Sequence, residues 1–208
     1  NMSLTITTVG RMIIKKRSKR LVGLALQGGG SHGAFTWGVL DRLVEEDSIA
    51  VEGISGVSAG AMNAAVFASG YVNGGAAQAQ IALSKFWEAL GVHWPIIGVS
   101  NPFLDESGKH GLPFPLKACA GLVQYFSPYQ VNPLDINPLR QVIREHVDFE
   151  AIRHSSAPQL YIGATHVKSG KLVIFENESL SDDVLLASAC IPVVHHAVEV
   201  KGEAYWDG

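Results

Sequence analysis

The chain has 208 residues, of which 47% are hydrophobic and 17% are charged, and its formal net charge at pH 7 is −3. This length and this balance predict one folded domain with a substantial core. No stretch of about 18 uninterrupted apolar residues occurs, and no secretory signal is evident, so neither a transmembrane helix nor an exported precursor is expected.

The N-terminal segment carries most of the positive charge. Residues 11–20, RMIIKKRSKR, contain six cations and no acid, which leaves 10 cations against 19 acids elsewhere. Such a segment can contact anionic lipid headgroups or nucleic acid, or it can be a solvated arm. The rest of the chain has no basic stripe with interleaved aromatic residues, so nucleic-acid binding is not expected. We expect a flexible basic segment at 1–20 and a folded domain at 21–208.

The first half of that domain predicts two strand–turn–helix units. An apolar run at 21–27 ends in three glycines and predicts a buried strand, and residues 33–47 have apolar side chains at helical spacing. Residues 51–58 predict a second strand, and the alanine-rich residues 59–72 predict a second helix. The alternation favours an α/β fold, namely a single domain with a central, mostly parallel sheet flanked by helices.

The middle of the chain changes character. Residues 76–90 predict a further amphipathic helix. Residues 91–138 hold seven of the nine prolines and many aromatic residues, so we expect a lid, a partly helical excursion or a substrate-binding surface there. Residues 137–147 predict a helix with Pro138 in its first turn.

The C-terminal part predicts two hairpins around one helix. Residues 159–167 and 171–177 are separated by three turn residues and form the first predicted hairpin. Residues 181–191 predict a helix with Ser181 as its N-cap. A closing hairpin is predicted to turn at Lys201-Gly202.

The first glycine-rich turn is a candidate anion site. In QGGGSHGAF, the residues Gly28, Gly29 and Gly30 lie between a predicted strand and a predicted helix N-terminus. Glycines allow the backbone to curve, and the amides and dipole at a helix N-terminus bind negative charge. The charge could belong to a phosphate or to a transient oxyanion.

A dinucleotide site is the rival interpretation of this turn. Gly28, Gly30 and Gly33 also match the pattern G-x-G-x-x-G. A nucleotide site requires an acid at the end of the second strand to hold the ribose. That strand instead ends at Ser58, and Glu52 lies near its start, which weakens the rival.

The second glycine-rich turn contains a candidate nucleophile. Ser58 lies between Gly56 and Gly60 in the pattern Gly-x-Ser-x-Gly, after a predicted strand and before a predicted helix. This is the setting of a nucleophile elbow, whereas Ser55 falls inside the strand. The alternative is an ordinary N-cap serine, and the presence of both glycine turns favours the nucleophile.

The sequence marks no histidine as the base that such a serine needs. Seven histidines follow Ser58, and none lies in a catalytic or metal-binding motif. His195 and His196 are adjacent, so at most one could face a given site from an extended segment. Cys119 and Cys190 indicate neither a disulfide framework nor a metal site. Cysteine usage favours a cytoplasmic location and leaves peripheral membrane contact open.

Four motifs in order, LALQGGGSHGAF, GVSAG, LASACIP and YWDG, resemble the patatin-like phospholipase family over roughly residues 21–208. The resemblance implies a three-layer α/β fold, in which a sheet is flanked by helices, and a Ser-Asp dyad that uses neither histidine nor metal. It implies Ser58 as the nucleophile, Asp207 as the base, and the amides of Gly28, Gly29 and Gly30 as the oxyanion hole.

The resemblance also implies an activity. Gly33, Gly56, Gly60 and Gly208 support the motifs, and the implied enzyme is a lipid acyl hydrolase that forms an acyl-serine intermediate. Its substrates would be fatty-acyl esters of phospholipids or other lipids, at a lipid or membrane surface and without a cofactor. A nucleotide-binding protein using the turn at 28–33 and a non-catalytic lipid-binding relative remain alternatives, and the oligomeric state is not readable.

Two departures from the family pattern are visible. His32 stands where the family often has Arg or Lys, which bears on phospholipid preference more than on hydrolysis. The chain also stops at Asp207-Gly208, inside the motif that supplies the base. We therefore expect that the C-terminal part of the domain is missing from these 208 residues.

Overall fold

The computed structural model describes residues 19–97, 137–154, 157–192 and 195–208. Most of the predicted basic segment at 1–20 and most of the predicted excursion at 91–138 lie outside the described residues.

The described residues form six strands and five α-helices. The strands are β1 (Arg20–Leu26), β2 (Ile49–Gly56), β3 (Gln159–His166), β4 (Lys171–Glu176), β5 (Val198–Val200) and β6 (Glu203–Asp207). The helices are α1 (Gly33–Val44), α2 (Ala59–Ile97), α3 (Pro138–His146), α4 (Phe149–His154) and α5 (Asp182–Ser188). Short 3₁₀ turns precede α1 and follow β4.

Helix α2 is two packed arms rather than one rod. Its backbone leaves the helical conformation at Gly74 and Gly75, and Gly75 has a φ of 69°. The arms then fold back on each other so closely that a Cβ on Gly70 would lie 2.7 Å from the Cα of Ala79. The two arms correspond to the helices predicted at 59–72 and 76–90.

The α/β class predicted from the sequence is confirmed. β1, β2 and β3 are consecutive parallel neighbours, as strand–helix–strand units require. β4 and β6 pair with β3 antiparallel, and β5 extends the sheet beyond β6. The predicted hairpins are β3–β4 and β5–β6, and Lys201 and Gly202 both take positive φ at the second turn.

Several elements differ from the prediction, and three of the differences bear on the site or on the number of helices. β2 ends at Gly56, so Val57 and Ser58 belong to the turn rather than to the strand. α5 begins after Ser181, whose hydroxyl accepts the Val184 N–H at 3.3 Å, but it ends at Ser188. α4 was not predicted, because six residues are too few to show a helical period.

Strands β2 and β6 lie along the same edge of β3. Residues 161–162 of β3 pair with both β2 and β4, and residues 164–166 pair with both β6 and β4. Since β4 occupies one edge throughout, β2 and β6 must share the other. β2 runs parallel to β3 and β6 runs antiparallel, so their C-terminal ends meet head to head beside Gly163.

The helices of the described residues cover one face of the sheet, so the described ranges show two of the three predicted layers. Ile54, Leu160 and Ile162 are fully buried on that face, beneath a core that includes Phe67 and Phe86. On the opposite face, large apolar side chains are exposed, namely Leu21, Tyr161, Leu172 and Ile174. In the described ranges, no helix is both long enough and apolar enough to cross a membrane.

Replacing Gly60 by alanine tests how tightly the two glycine turns pack. An added Cβ would lie 2.2 Å from the Leu26 carbonyl oxygen, a backbone atom that cannot rotate away. We expect Gly60→Ala to lower the free energy of unfolding by about 1–3 kcal/mol or more, because overpacking forces backbone shifts. Urea denaturation measures the change.

Gly38→Ala is the matched control for this substitution. Gly38 is an exposed residue of α1, and a Cβ there would have no atom within 4 Å. Alanine in a helix interior is more stable than glycine by roughly 0.5–1 kcal/mol. A Gly60→Ala protein that unfolds at the same urea concentration as the Gly38→Ala protein would contradict the packing described here.

Candidate active site

Ser58 occupies a strained backbone position at the N-terminus of α2. Its φ is 53°, in the left-handed region that non-glycine residues rarely adopt. Its carbonyl oxygen accepts the Met62 N–H at 3.1 Å, so Ser58 caps the helix. Such strain costs on the order of 1–3 kcal/mol and is characteristic of functional turns. The arrangement is that of a nucleophile elbow, with the side chain at the positive end of the helix dipole.

The glycines around Ser58 allow three backbone segments to approach closely. A Cβ on Gly56 would lie 2.7 Å from the carbonyl carbon of Gly60, and a Cβ on Gly28 would lie 3.0 Å from the Ser58 Cβ. Together with the contact between Gly60 and Leu26, these distances bring the first glycine turn directly against the serine. Gly28, Gly56 and Gly60 are therefore glycines because a side chain at any of these positions would collide with a neighbouring segment.

The first glycine turn is held by His32. The Gly29 carbonyl oxygen accepts both the His32 backbone N–H and the His32 Nδ1–H, each at 3.1 Å. Gly29 and Gly30 have φ of 145° and 55°, conformations that favour glycine. In a planar trans peptide the N–H points away from the preceding carbonyl, so the Gly30 N–H points away from His32. Within the described ranges, the N–H groups of Gly29 and Gly30 donate no backbone hydrogen bond.

Asn63 ties this turn to α2. Its side chain is fully buried, and its Nδ2 donates to the Gly33 carbonyl oxygen at 2.9 Å. Its Oδ1 accepts the Trp87 Nε1–H, also at 2.9 Å. A Cβ on Gly33 would lie 2.8 Å from the Ala59 Cβ, so α1 begins in contact with the start of α2. The sequence analysis did not select Asn63, although a polar residue inside an alanine-rich helix was a signal.

Asp207 lies at the C-terminal end of β6 and reaches Ser58. Its side chain is half-buried and lies near the Ser58 side chain, whose hydroxyl is close enough to lower the pKa of the carboxyl group. Its Oδ1 also accepts the Gly208 N–H at 2.8 Å. Burial raises the pKa of the Asp207 carboxyl above its ordinary value of 3.8, although the Ser58 hydroxyl and the bond from the Gly208 N–H oppose the shift. The two residues that the sequence paired from opposite ends of the domain are therefore in contact.

The end of α5 and the residues that follow it contact both Ser58 and Asp207. The Ser58 N–H donates to the Ser188 carbonyl oxygen at 3.1 Å and to the Ser188 Oγ at 2.9 Å. Two residues later, the Cys190 carbonyl oxygen accepts the Asp207 N–H at 3.0 Å. Sequence analysis recognised the motif LASACIP but assigned no role to Ser188, because the motif does not show which backbone groups its residues meet.

Several histidines have partners away from Ser58. His146 Nδ1 bonds to the Val142 carbonyl oxygen at 2.9 Å, and His154 pairs with a glutamate one turn away. His166 bonds to Ser169 and to Glu203 at 2.8 and 3.2 Å. Among the described residues, no three His, Cys, Asp or Glu side chains are grouped as a metal ion would require.

The fold and this site define an α/β protein with a serine elbow, an adjacent glycine turn and a carboxylate partner. The family model described as patatin-like phospholipase matches residues 24–208. The chain belongs to the patatin-like phospholipase family.

One solved structure extends the comparison of the fold. The crystal structure of VipD from Legionella pneumophila is similar with a TM-score of 0.53 and 18% sequence identity, over 89% of this chain and 45% of the VipD chain. The chain thus spans less than half of the VipD chain. No curated protein matches the sequence significantly.

The buried carboxylate of Asp207 should cost stability at neutral pH. Because its pKa is raised in the fold, the folded state binds more protons than the unfolded state between pH 3.8 and the raised value. Stability therefore falls as the pH rises through this window. We expect Asp207→Asn to resist urea better than the unsubstituted protein at pH 7, with a difference that shrinks as the pH approaches 3.8.

Asp182→Asn is the matched control of opposite sign. Burial alone would raise the pKa of Asp182, but hydrogen bonds from Arg144 and Arg140 outweigh it and lower that pKa. Asp182 thus stabilises the fold at neutral pH, and this contribution is lost as the pH falls through its folded pKa. Asp182→Asn should be less stable at pH 7. If Asp207→Asn lost as much stability to urea at pH 7 as Asp182→Asn, burial of the Asp207 carboxylate would not destabilise the fold.

Proposed function

We propose that the protein is a lipid acyl hydrolase in which Ser58 is the nucleophile and Asp207 is the base. The observation that carries this proposal is that the end of β6 brings the Asp207 carboxyl group beside the Ser58 side chain, at a turn where Ser58 has a positive φ. The family description, phospholipase, supplies the substrate class: fatty-acyl esters of phospholipids or related lipids.

The proposed reaction proceeds in two half-reactions. The Ser58 Oγ attacks the carbonyl carbon of the ester while its proton passes to Asp207. The proton then moves to the departing alcohol as the carbon–oxygen bond breaks, which leaves an acyl-Ser58. In the second half, Asp207 takes a proton from water as the water oxygen attacks the acyl carbon. The bond between that carbon and the Ser58 Oγ then breaks, the proton passes from Asp207 to the Ser58 oxygen, and the fatty acid leaves.

The raised pKa of Asp207 suits this role. An ordinary aspartate is a weak base at neutral pH, and partial burial raises its affinity for the serine proton. The bond from the Gly208 N–H restrains that rise and fixes one carboxylate oxygen. The other contact of the carboxyl group, with Ser58, orients the base toward the proton it must accept.

The first glycine turn would stabilise the oxyanion. Gly28 lies against Ser58, and Gly28, Gly29 and Gly30 precede the N-terminus of α1, where the helix dipole favours negative charge. Removing one such donor costs about 3–4 kcal/mol in a comparable enzyme. The same turn could in principle bind a dinucleotide phosphate. Glu52, the acid with suitable spacing, is exposed in the middle of β2 rather than at its end, which does not favour that alternative.

Labelling with a fluorophosphonate tests the nucleophile. We expect the probe to attach to Ser58, and Ser58→Ala to abolish both labelling and hydrolysis of phospholipid and simple ester substrates. Asp207→Asn should lower hydrolysis by roughly 10²–10⁴-fold, the usual contribution of a general base. Intact-mass spectrometry detects the adduct, and released fatty acid measures turnover.

Ser55→Ala is the matched control, since Ser55 is an exposed serine of the same strand and turn region. It should retain labelling and activity. A folded protein that is never labelled and hydrolyses no ester would support a non-catalytic lipid-binding relative. Saturable binding of NAD(P) without labelling would support the nucleotide alternative, and full activity of Asp207→Asn would refute the dyad.

The pH dependence of kcat/KM tests the base. Asp207 must be ionised to accept a proton, so activity should rise with pH through an acid limb whose midpoint lies above 3.8. This limb reports the free enzyme. It should be unchanged when His195 and His196 are both replaced by glutamine. Loss of the limb in that double variant would assign the base to a histidine instead.

A further inference from the structure

We infer that Ser188 is a positioning residue that holds the turn at Ser58 in its reactive conformation. It belongs to the segment Ser188–Cys190, which we call the brace and which also binds Asp207. This inference rests on the proposed function of Ser58 and Asp207. The inference concerns how Ser58 and Asp207 are held in position, whereas the proposed function concerns the reaction that they carry out.

The contact between Ser188 and Ser58 links residues 130 positions apart in the chain. The single N–H of Ser58 is shared between the Ser188 Oγ at 2.9 Å and the Ser188 carbonyl oxygen at 3.1 Å. Ser188 is fully buried, so water does not compete for either bond. It is the last residue of α5, where a helix leaves carbonyl groups without partners, and Ser58 satisfies one of them.

The shared hydrogen bond offsets the strain at Ser58. A serine at φ 53° is retained only if its surroundings favour that conformation over a relaxed one. Two acceptors on one buried residue fix the direction of the Ser58 N–H, and with it the plane of the peptide between Val57 and Ser58. Loss of the Oγ would leave one acceptor and allow that peptide to tilt.

The brace extends to the base. The Cys190 carbonyl oxygen accepts the Asp207 N–H at 3.0 Å, and the Cys190 Sγ–H donates to the His196 carbonyl oxygen at 2.8 Å. One short segment, Ser188–Cys190, therefore binds a backbone N–H of each member of the dyad. Its geometry positions the backbones of Ser58 and Asp207 relative to each other, independently of any direct interaction between their side chains.

This arrangement has a consequence for the oxyanion hole. In some serine hydrolases the backbone N–H of the nucleophile itself helps to bind the oxyanion. Here the Ser58 N–H is already engaged by Ser188, so it points toward α5 rather than toward a substrate. The oxyanion would then be bound by other amides, and the candidates beside Ser58 are the amide of Ala59 and the turn at Gly28, Gly29 and Gly30, of which Gly28 lies against Ser58.

Ser188→Ala tests the inference, with Ser69→Ala as the matched control. Ser69 is also a buried serine whose Oγ accepts a backbone N–H from a distant segment, that of Asp148 at 2.9 Å. Ser188→Ala should lower kcat roughly ten- to a hundredfold with KM unchanged, because the nucleophile is misplaced while substrate binding is not. The acid limb of the pH profile should not move. Ser69→Ala should lose similar stability and keep kcat within about twofold of the unsubstituted protein.

Hydrogen exchange at the Ser58 amide is a second readout that needs no activity. Ser188→Ala should accelerate exchange at Ser58 at least about tenfold more than Ser69→Ala does. If Ser188→Ala does not fold, Ser188→Cys fills the same space with a weak acceptor and should show the same losses. Unchanged kcat and unchanged exchange in a folded variant would overturn the inference. If the unsubstituted protein hydrolyses no ester, the proposed function fails, and exchange at Ser58 still decides whether Ser188 holds the elbow.

Discussion

The site depends on one constraint, the meeting of two strand ends against a single edge of β3. Ser58 follows the end of β2 and Asp207 is the last residue of β6. The two residues lie close together because these strands run toward each other on that edge. The gap between them is filled by Gly163, where a Cβ would lie 2.8 Å from Val57 Cγ1, and by Gly208, where a Cβ would lie 2.9 Å from the Gly163 carbonyl oxygen. Any larger residue at either glycine would separate the strand ends, and with them the two side chains of the candidate dyad.

The same constraint explains why the site carries a cost in stability. Ser58 is held at a positive φ, and Asp207 keeps a carboxylate partly out of water, so both oppose folding. The opposing stabilisation comes from the fully buried residues that pack on the sheet. It also comes from the Ser188–Cys190 segment, whose carbonyl groups accept the backbone N–H of Ser58 and of Asp207. Because that segment begins as the end of a buried helix, the site is supported by the core rather than by loops.

The sequence was sufficient for the class of fold and for the residues of the candidate dyad, and it was insufficient for their supports. Alternating apolar runs and glycine turns predicted the strand–helix units, since the periods of strands and helices differ. The strand pairing that joins β2 to β6 is a long-range property, so the contact between Ser58 and Asp207 came only through the family resemblance. Ser188 and Asn63 were not selected because their partners are backbone groups far along the chain, which no local pattern records.

His32 illustrates how a departure from the family pattern can be accommodated. An arginine or lysine at this position would bring a permanent charge to the glycine turn. The imidazole instead donates from Nδ1 to the Gly29 carbonyl oxygen, and Nδ1 carries a proton both in that neutral tautomer and in the cation. The hydrogen bond therefore does not depend on the charge of the ring. It follows that the turn is shaped by a hydrogen bond, and that the negative charge of an oxyanion would be met by backbone amides and the dipole of α1 rather than by a fixed cation.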